Sequence, residues 1–225
     1  TNTPEVLSDA TAEIAMLLLL GAARRASEGD QMVRTAKWGH WSPSFMVGTQ
    51  VSGKKIGIVG MGRVGQVMAK RARGFDMEVH YNNRTRLPAN LEARAIYHED
   101  VDSLLKESDF LSLHCPATPE TNGFLSAEKI ELLPDGAIVV NTARGALIDE
   151  NALIAALRSG KIAAAGLDGF AHEPGGNPEF ATLDNIFMLP HIGSATFETR
   201  DAMGFRALDN LDAFFSGKEP GDRVA

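Results

Sequence analysis

With 225 residues, 44% of them hydrophobic, the chain can bury a sizeable core in one or two domains. A net charge of −7 with no basic run argues against nucleic acid as a partner, because gripping a phosphate backbone takes clustered Lys and Arg. Cys115 is the only cysteine, so no intrachain disulfide can form; a reducing compartment fits, and the cytoplasm is the expected location.

Asn2-Thr3-Pro4 reads as a turn, and Ser8 or Asp9 is expected to cap a helix over residues 8–29. Residues 14–20 are apolar nearly all round, which predicts a helix buried on most sides. The apolar stretch 14–23 is too short to span a bilayer, so no membrane association is expected. Because the chain begins at Thr1, its start is uninformative about targeting. Residues 32–50 carry Trp38 and Trp41 without a period. Two readings fit that segment: a loop folded onto its own domain, or an arm clasping a second subunit in a homodimer.

From Lys54 onward strand and helix patterns alternate. The run Lys55-Ile56-Gly57-Ile58-Val59 leads into Gly60-Met61-Gly62-Arg63-Val64-Gly65, and residues 66–73 follow with helical spacing. A lone G-x-G-x-x-G is weak evidence, but between a β-branched strand and an amphipathic helix it marks a dinucleotide site. Gly60 permits the tight turn, Gly62 a close approach of backbone to pyrophosphate, and Gly65 close packing of helix on strand, with Arg63 and Val64 between them. Further strands are expected at 78–81, 95–97, 110–113, 137–140, 163–167 and 186–189, with helices at 101–106 and after Asp149, ending at Gly160. This order predicts an α/β fold, a doubly wound parallel sheet of the Rossmann type, with ligands beyond the carboxyl ends of the strands. A last helix over 195–215 carries Met203, Ala207, Leu208, Leu211, Phe214 and Phe215 on one side, and Gly217 stops it before a polar tail.

The second strand runs into Asn82-Asn83-Arg84-Thr85-Arg86 with no acid at the place where NAD-binding units hold the ribose 2′-hydroxyl. Asn83, Arg84 and Thr85 therefore point to NADP(H), with NAD possible, since Arg84 can pair with a 2′-phosphate that a carboxylate would repel. His114, Cys115 and Pro116 close the fourth strand and are expected to line the cofactor cleft; no base is recognisable beside Cys115 to make it a nucleophile. Arg144, Glu173 and His191 follow the fifth, sixth and seventh strands. No metal site is expected.

Taken together, Ala12-Glu13-Ile14-Ala15, the glycine turn, Asn141-Thr142-Ala143-Arg144-Gly145, Gly166-Leu167-Asp168, Glu173-Pro174 and Pro190-His191-Ile192-Gly193-Ser194 resemble the D-isomer-specific 2-hydroxyacid dehydrogenases, above all their glyoxylate and hydroxypyruvate reductase (D-glycerate dehydrogenase) branch. The resemblance implies that Arg144 binds the 2-oxo acid and that His191 is the acid/base partnered by Glu173. It also implies that Asp168 sits near the nicotinamide, with Thr142, Ala143, Arg144, His191, Gly193 and Ser194 along the cofactor cleft. Gly169 departs from the family's usual valine and is expected to loosen the loop bearing Glu173. Members carry a second, split α/β domain, and the resemblance begins after its larger part. Residues 1–194 then form the dinucleotide-binding domain, with 1–50 as crossover helix and dimer arm, and 195–225 return towards a substrate domain. A chain lacking that domain is expected to bind cofactor but turn over poorly. A dehydrogenase of another 2-hydroxy acid and a nucleotide-sensing corepressor of the same fold are the alternatives; the intact Arg144, Glu173 and His191 set disfavours the second.

The residue chemistry agrees. As hydride reaches a carbonyl carbon, charge builds on the oxygen, where a protonated His191 can donate, while Glu173 stabilises the imidazolium and Arg144 forks onto the substrate carboxylate.

Overall fold

The computed structural model describes residues 1–224. In chain order the elements are α1 (Ser8–Ala23), α2 (Ala26–Arg34), β1 (Lys55–Val59), α3 (Arg63–Arg73), β2 (Glu78–Asn82), α4 (Ala89–Glu92), β3 (Ile96–Tyr97), α5 (Val101–Lys106), β4 (Phe110–Leu113), α6 (Ala127–Leu132), β5 (Ala137–Asn141), α7 (Glu150–Ser159), β6 (Ile162–Leu167), β7 (Ile186–Met188) and α8 (Phe197–Phe215). The seven strands pair in parallel in the order β3-β2-β1-β4-β5-β6-β7. The order reverses between β1 and β4, and the crevice outside their carboxyl ends is where such a sheet takes a ligand.

Alternation along each strand feeds two cores. Ile56, Ile58, Ile138 and Val140 face α1 and α3, where they meet Leu18, Leu19, Met68 and Ala72. Val59, Leu111, Leu113 and Val139 face the opposite way, onto Leu104 and Leu105 of α5, Ile130 of α6 and Leu153 and Leu157 of α7. With both faces covered, the strands can be continuously apolar, as a parallel sheet requires. Each fully buried Leu or Ile contributes about 1.5–3 kcal/mol by leaving water.

Several boundaries differ from the sequence expectation. The first helix is two: α1 ends at Ala23, Arg25 adopts a left-handed conformation (φ 55°), and α2 runs past Gly29 to Arg34. The break is tertiary in origin, since the Ala23 carbonyl accepts the Thr49 N–H (2.8 Å) from the returning loop. Neither Ser8 nor Asp9 caps α1, which starts without a side-chain cap. Asp9 and Glu13 instead pair with Arg71 of α3 (3.0 and 3.2 Å). Helix α3 begins at Arg63, three residues earlier than expected, so Gly62 is its N-cap and Gly65 lies in its first turn. The four-residue α4 is too short for periodicity to reveal, and the six-residue α6 was not expected either, although α5, of the same length, was.

Residues 35–50 form no regular element, and Trp38 and Trp41 are exposed. Helix α8 starts at Phe197, capped by the Thr196 hydroxyl accepting the Thr199 N–H (3.1 Å). Its apolar side is largely uncovered, with Phe205 and Phe215 67% and 80% exposed. The tail folds back: Asp222 accepts from Arg206 and Asn210 of α8, and its carbonyl accepts the Asn2 N–H. Among the described residues no helix is long and apolar enough to cross a membrane.

Helix α7 is bounded as expected, with the Asp149 carboxylate accepting the Asn151 and Ala152 N–H groups and Gly160 left-handed at its end (φ 81°). Asp149→Ala should therefore cost about 1 kcal/mol of stability. Urea unfolding checks this, and an unchanged midpoint would show that the cap contributes nothing.

Candidate active site

The glycine turn is shaped to receive a phosphate. Gly60 is left-handed (φ 94°) and passes so close to the end of β4 that a Cβ on it would lie 2.5 Å from the Cys115 nitrogen. A Cβ on Gly65 would lie 2.3 Å from the Gly60 carbonyl, so the start of α3 can sit on the turn only without one. Gly62 borders open space, and no side chain caps the N-terminus of α3 there. Its first N–H groups, with the positive end of the helix dipole, face outward unclaimed. Arg63 turns to Glu5 (3.4 Å).

Beside this turn the carboxyl ends of the strands enclose a cavity of about 940 Å³. Of the residues singled out in the sequence, Val64, Cys115, Pro116, Thr142, Ala143, Arg144, Asp168, Glu173, His191, Gly193 and Ser194 line it. Gly60, Gly62, Arg63, Gly65, Asn83, Arg84 and Thr85 lie outside its wall. Thr142 Oγ1 is buried without a hydrogen-bond partner among the described residues, which suits it to a polar ligand group. An open cradle at Gly62 and an orphaned hydroxyl in the adjoining cavity together fit a dinucleotide, phosphates at one end and a polar ring at the other.

Asp168 organises the polar wall. It follows β6 directly, almost fully buried, and its Oδ1 and Oδ2 accept the Ile192 and Gly193 N–H groups (2.8 and 2.7 Å). Burial pushes its carboxyl upward, and those two donors oppose the shift. The clasp fixes the turn after β7, in which His191 is left-handed (φ 53°), a conformation costing a non-glycine residue about 1–3 kcal/mol unless its surroundings enforce it. In that pose His191 Nδ1 is 2.6 Å from Glu173 Oε2. The other carboxylate oxygen accepts the Phe170 N–H (2.8 Å). Burial raises the Glu173 carboxyl, but the Phe170 N–H, the His191 hydrogen bond and charge, and the Arg144 charge outweigh it and hold the group below the usual carboxylate range. Glu173 is thus ionised at neutral pH, and Nδ1 of His191 must be the donor, leaving Nε2 for other chemistry.

Arg144 is exposed on the same cavity wall, its Nη1 donating to the Ala143 carbonyl (2.7 Å). Asn141 shapes this turn, accepting the Ala143 N–H and donating to the Arg144 carbonyl (both 2.9 Å). Leu7, Thr11 and Met203 also line the cavity but were not expected at the site, since Leu7 and Thr11 carry no motif of their own and Met203 reads as packing. His114, likewise in the wall, donates or accepts at Ser112 Oγ (2.8 Å); desolvation pushes its imidazole down to about 4, so it stays neutral. Burial pushes the Cys115 thiol up, away from nucleophilic reactivity. Among the described residues, no group of His, Cys, Asp and Glu is placed to hold a metal ion.

A doubly wound sheet with a glycine cradle and an imidazole–carboxylate pair in one cavity defines a dinucleotide-dependent oxidoreductase. Residues 16–193 match the sequence model of the D-isomer specific 2-hydroxyacid dehydrogenase NAD binding domain, and the chain belongs to that family of NAD(P)-dependent 2-hydroxyacid dehydrogenases. It is 49% identical to a glycerate dehydrogenase of Hyphomicrobium methylovorum over 220 residues, 97% of this chain and 68% of that protein. It is 48% identical to a glyoxylate reductase of Thermococcus litoralis over 228 residues, 100% of this chain and 69% of the other. The solved NADPH-dependent glyoxylate/hydroxypyruvate reductase of Sinorhizobium meliloti, in complex with NADP and malonate, superposes with a TM-score of 0.91 at 33% identity, over 100% of this chain and 70% of that one.

Two glycines in the site separate by their surroundings. A Cβ on Gly145 would lie 1.9 Å from the Phe170 carbonyl carbon, whereas one on Gly169 would make ordinary contacts, 3.4 Å or more, with the Arg144 turn. The Glu173 loop is anchored despite Gly169, through the Phe170 N–H and through the Ala171 N–H donating to Glu150 (2.9 Å). Gly145→Ala should therefore separate the turns bearing Arg144 and Glu173 and cost about 1–3 kcal/mol, while Gly169→Ala should leave stability within about 0.5 kcal/mol. Thermal unfolding of the two variants is the check; equal effects would contradict this packing.

Proposed function

We propose that the protein is an NADP(H)-dependent reductase of a small 2-oxo acid, glyoxylate or hydroxypyruvate, giving the D-2-hydroxy acid. The observation that carries the reading is the pairing of His191 with an ionised Glu173 on the wall that also presents Arg144. The names of the relatives support the substrate class: glycerate dehydrogenase, glyoxylate reductase and glyoxylate/hydroxypyruvate reductase.

Gly60, Gly62, Gly65 and the N-terminus of α3 would hold the pyrophosphate. Asn83, Arg84 and Thr85 would take the adenosine ribose, with Arg84 on its 2′-phosphate. Val64, Cys115, Pro116, Thr142, Ala143, Asp168, Gly193 and Ser194 would surround the nicotinamide end. When bound, the reduced nicotinamide supplies hydride to the substrate's carbonyl carbon. Arg144 forks onto the substrate carboxylate and holds the carbonyl for attack. His191 gives the proton on Nε2 to the carbonyl oxygen as negative charge develops, which leaves a hydroxyl group and a neutral imidazole. Glu173, through Nδ1, fixes the ring's orientation and tautomer. The absence of a carboxylate after β2 supports NADP(H) over NAD(H). Residues 1–194 act as the dinucleotide-binding domain and 195–225 as a return helix and tail. The exposed Trp38 and Trp41 support the reading of residues 32–50 as an arm in a homodimer, and the single cysteine suits the cytoplasm.

NADPH oxidation by the full-length protein, substrate domain included, with glyoxylate, hydroxypyruvate and pyruvate side by side tests the assignment; cofactor binding without turnover of any oxo acid would favour a nucleotide sensor. Glu173→Gln removes the carboxylate that orients the ring and should lower kcat about tenfold or more, whereas an unchanged kcat would break the proposed pairing. Arg84→Ala should weaken NADPH binding about tenfold or more while leaving NADH within about twofold; equal losses would remove the NADP(H) preference.

A further inference from the structure

The loop after β2 carries two arginines two residues apart, and the structure gives them different work. Arg86 is committed: its Nε and Nη2 donate to Oε1 and Oε2 of Glu92 (2.7 and 3.2 Å), and its guanidinium lies 5.5 Å from the Tyr97 ring centre. Glu92, on α4, is buried and also accepts the Tyr81 hydroxyl (2.7 Å). Tyr81 is fully buried in β2, and its hydroxyl oxygen accepts the Leu87 N–H (3.1 Å). The Glu92 carbonyl accepts from Arg73 near the end of α3 (2.9 Å), which ties the cluster to the helix whose other end forms the phosphate cradle. Arg84, by contrast, is exposed and has no hydrogen-bond or ion-pair partner among the described residues.

We propose that Glu92, Arg86 and Tyr81 form a positioning clamp that holds residues 83–87 in shape, so that Arg84 alone binds the cofactor's 2′-phosphate. This rests on the NADP(H) reading above. The contacts favour this division, because the Nε and Nη2 edge of Arg86 is spent on the Glu92 carboxylate, which offsets its positive charge. Arg86 and the Tyr81 hydroxyl hold the Glu92 carboxyl below the usual range, against burial, so the clamp stays charged through neutral pH. Its effect on the cofactor is indirect. Pinning the loop at Arg86 and Leu87 removes the disorder that a phosphate on Arg84 would otherwise have to suppress. Asn83 adds a local brace, donating to the Thr85 carbonyl (3.1 Å).

The test is fluorescence titration of the protein with NADPH and NADH in Arg84→Ala, Arg86→Gln, Arg86→Lys and the double variant Arg84→Ala/Arg86→Gln. Arg86 is largely exposed, so its replacement spares the core, and a melting curve of each variant confirms folding. Arg86→Gln should weaken NADPH about threefold or more, with NADH unchanged and no further loss in the Arg84→Ala background. Arg86→Lys keeps the charge but loses the two-pronged contact, and should behave like Arg86→Gln. Independent, additive losses at 84 and 86, with Lys restoring affinity, would make Arg86 a direct phosphate ligand and overturn the clamp. An Arg86→Gln protein that binds both cofactors normally would also overturn it. If Arg84→Ala itself leaves NADPH binding intact, it is the NADP(H) reading that fails, a different result from either of these.

Discussion

The buried carboxylate of Asp168 is the constraint on which the site depends. It follows β6 directly and grips two consecutive N–H groups beyond β7, so that two loops far apart in sequence become one rigid wall. That grip lets His191 sit in a backbone conformation its side chain disfavours and turns the imidazole towards Glu173. Without it, the pair would depend on two exposed loops meeting by chance, at a cost in ordering that one hydrogen bond could not offset.

The parallel sheet makes the arrangement possible. Every strand delivers its carboxyl end to the same edge, so residues 144, 168, 173 and 191 meet there although almost fifty positions separate the first from the last. The amino end of α3 arrives at the same edge, close to the end of β4 because Gly60 and Gly65 lack side chains. Positive helix dipole, cationic Arg144 and the imidazole–carboxylate pair thus surround a single cavity suited to anionic ligands.

Much of this was legible in the sequence, for identifiable reasons. The glycine turn could be read because its flanking strand and helix carry opposite periodicities, and α7 because Asp149 and Gly160 mark its ends by local chemistry. The break at Arg25 could not, since it comes from a loop that returns more than twenty residues later. Asp168 was placed at the site but not as a clasp on Ile192 and Gly193, because a hydrogen bond to a remote backbone leaves no trace in side-chain spacing. Arg84 was preferred to Arg86 by its place beside Asn83, but only the fold reveals that Glu92 takes up Arg86. The cavity-lining Leu7, Thr11 and Met203 belong to helices or turns whose sequence speaks only of packing.

The central claim is that the imidazole at 191 and the carboxylate at 173 act as one chemical unit. A double-mutant cycle on kcat/KM for 2-oxo acid reduction, using Glu173→Gln, His191→Asn and both together, measures it most directly. The account predicts that the double variant is no slower than His191→Asn alone, since the carboxylate works only through the ring. Losses that multiply in the double variant would show the two groups acting separately and would contradict it.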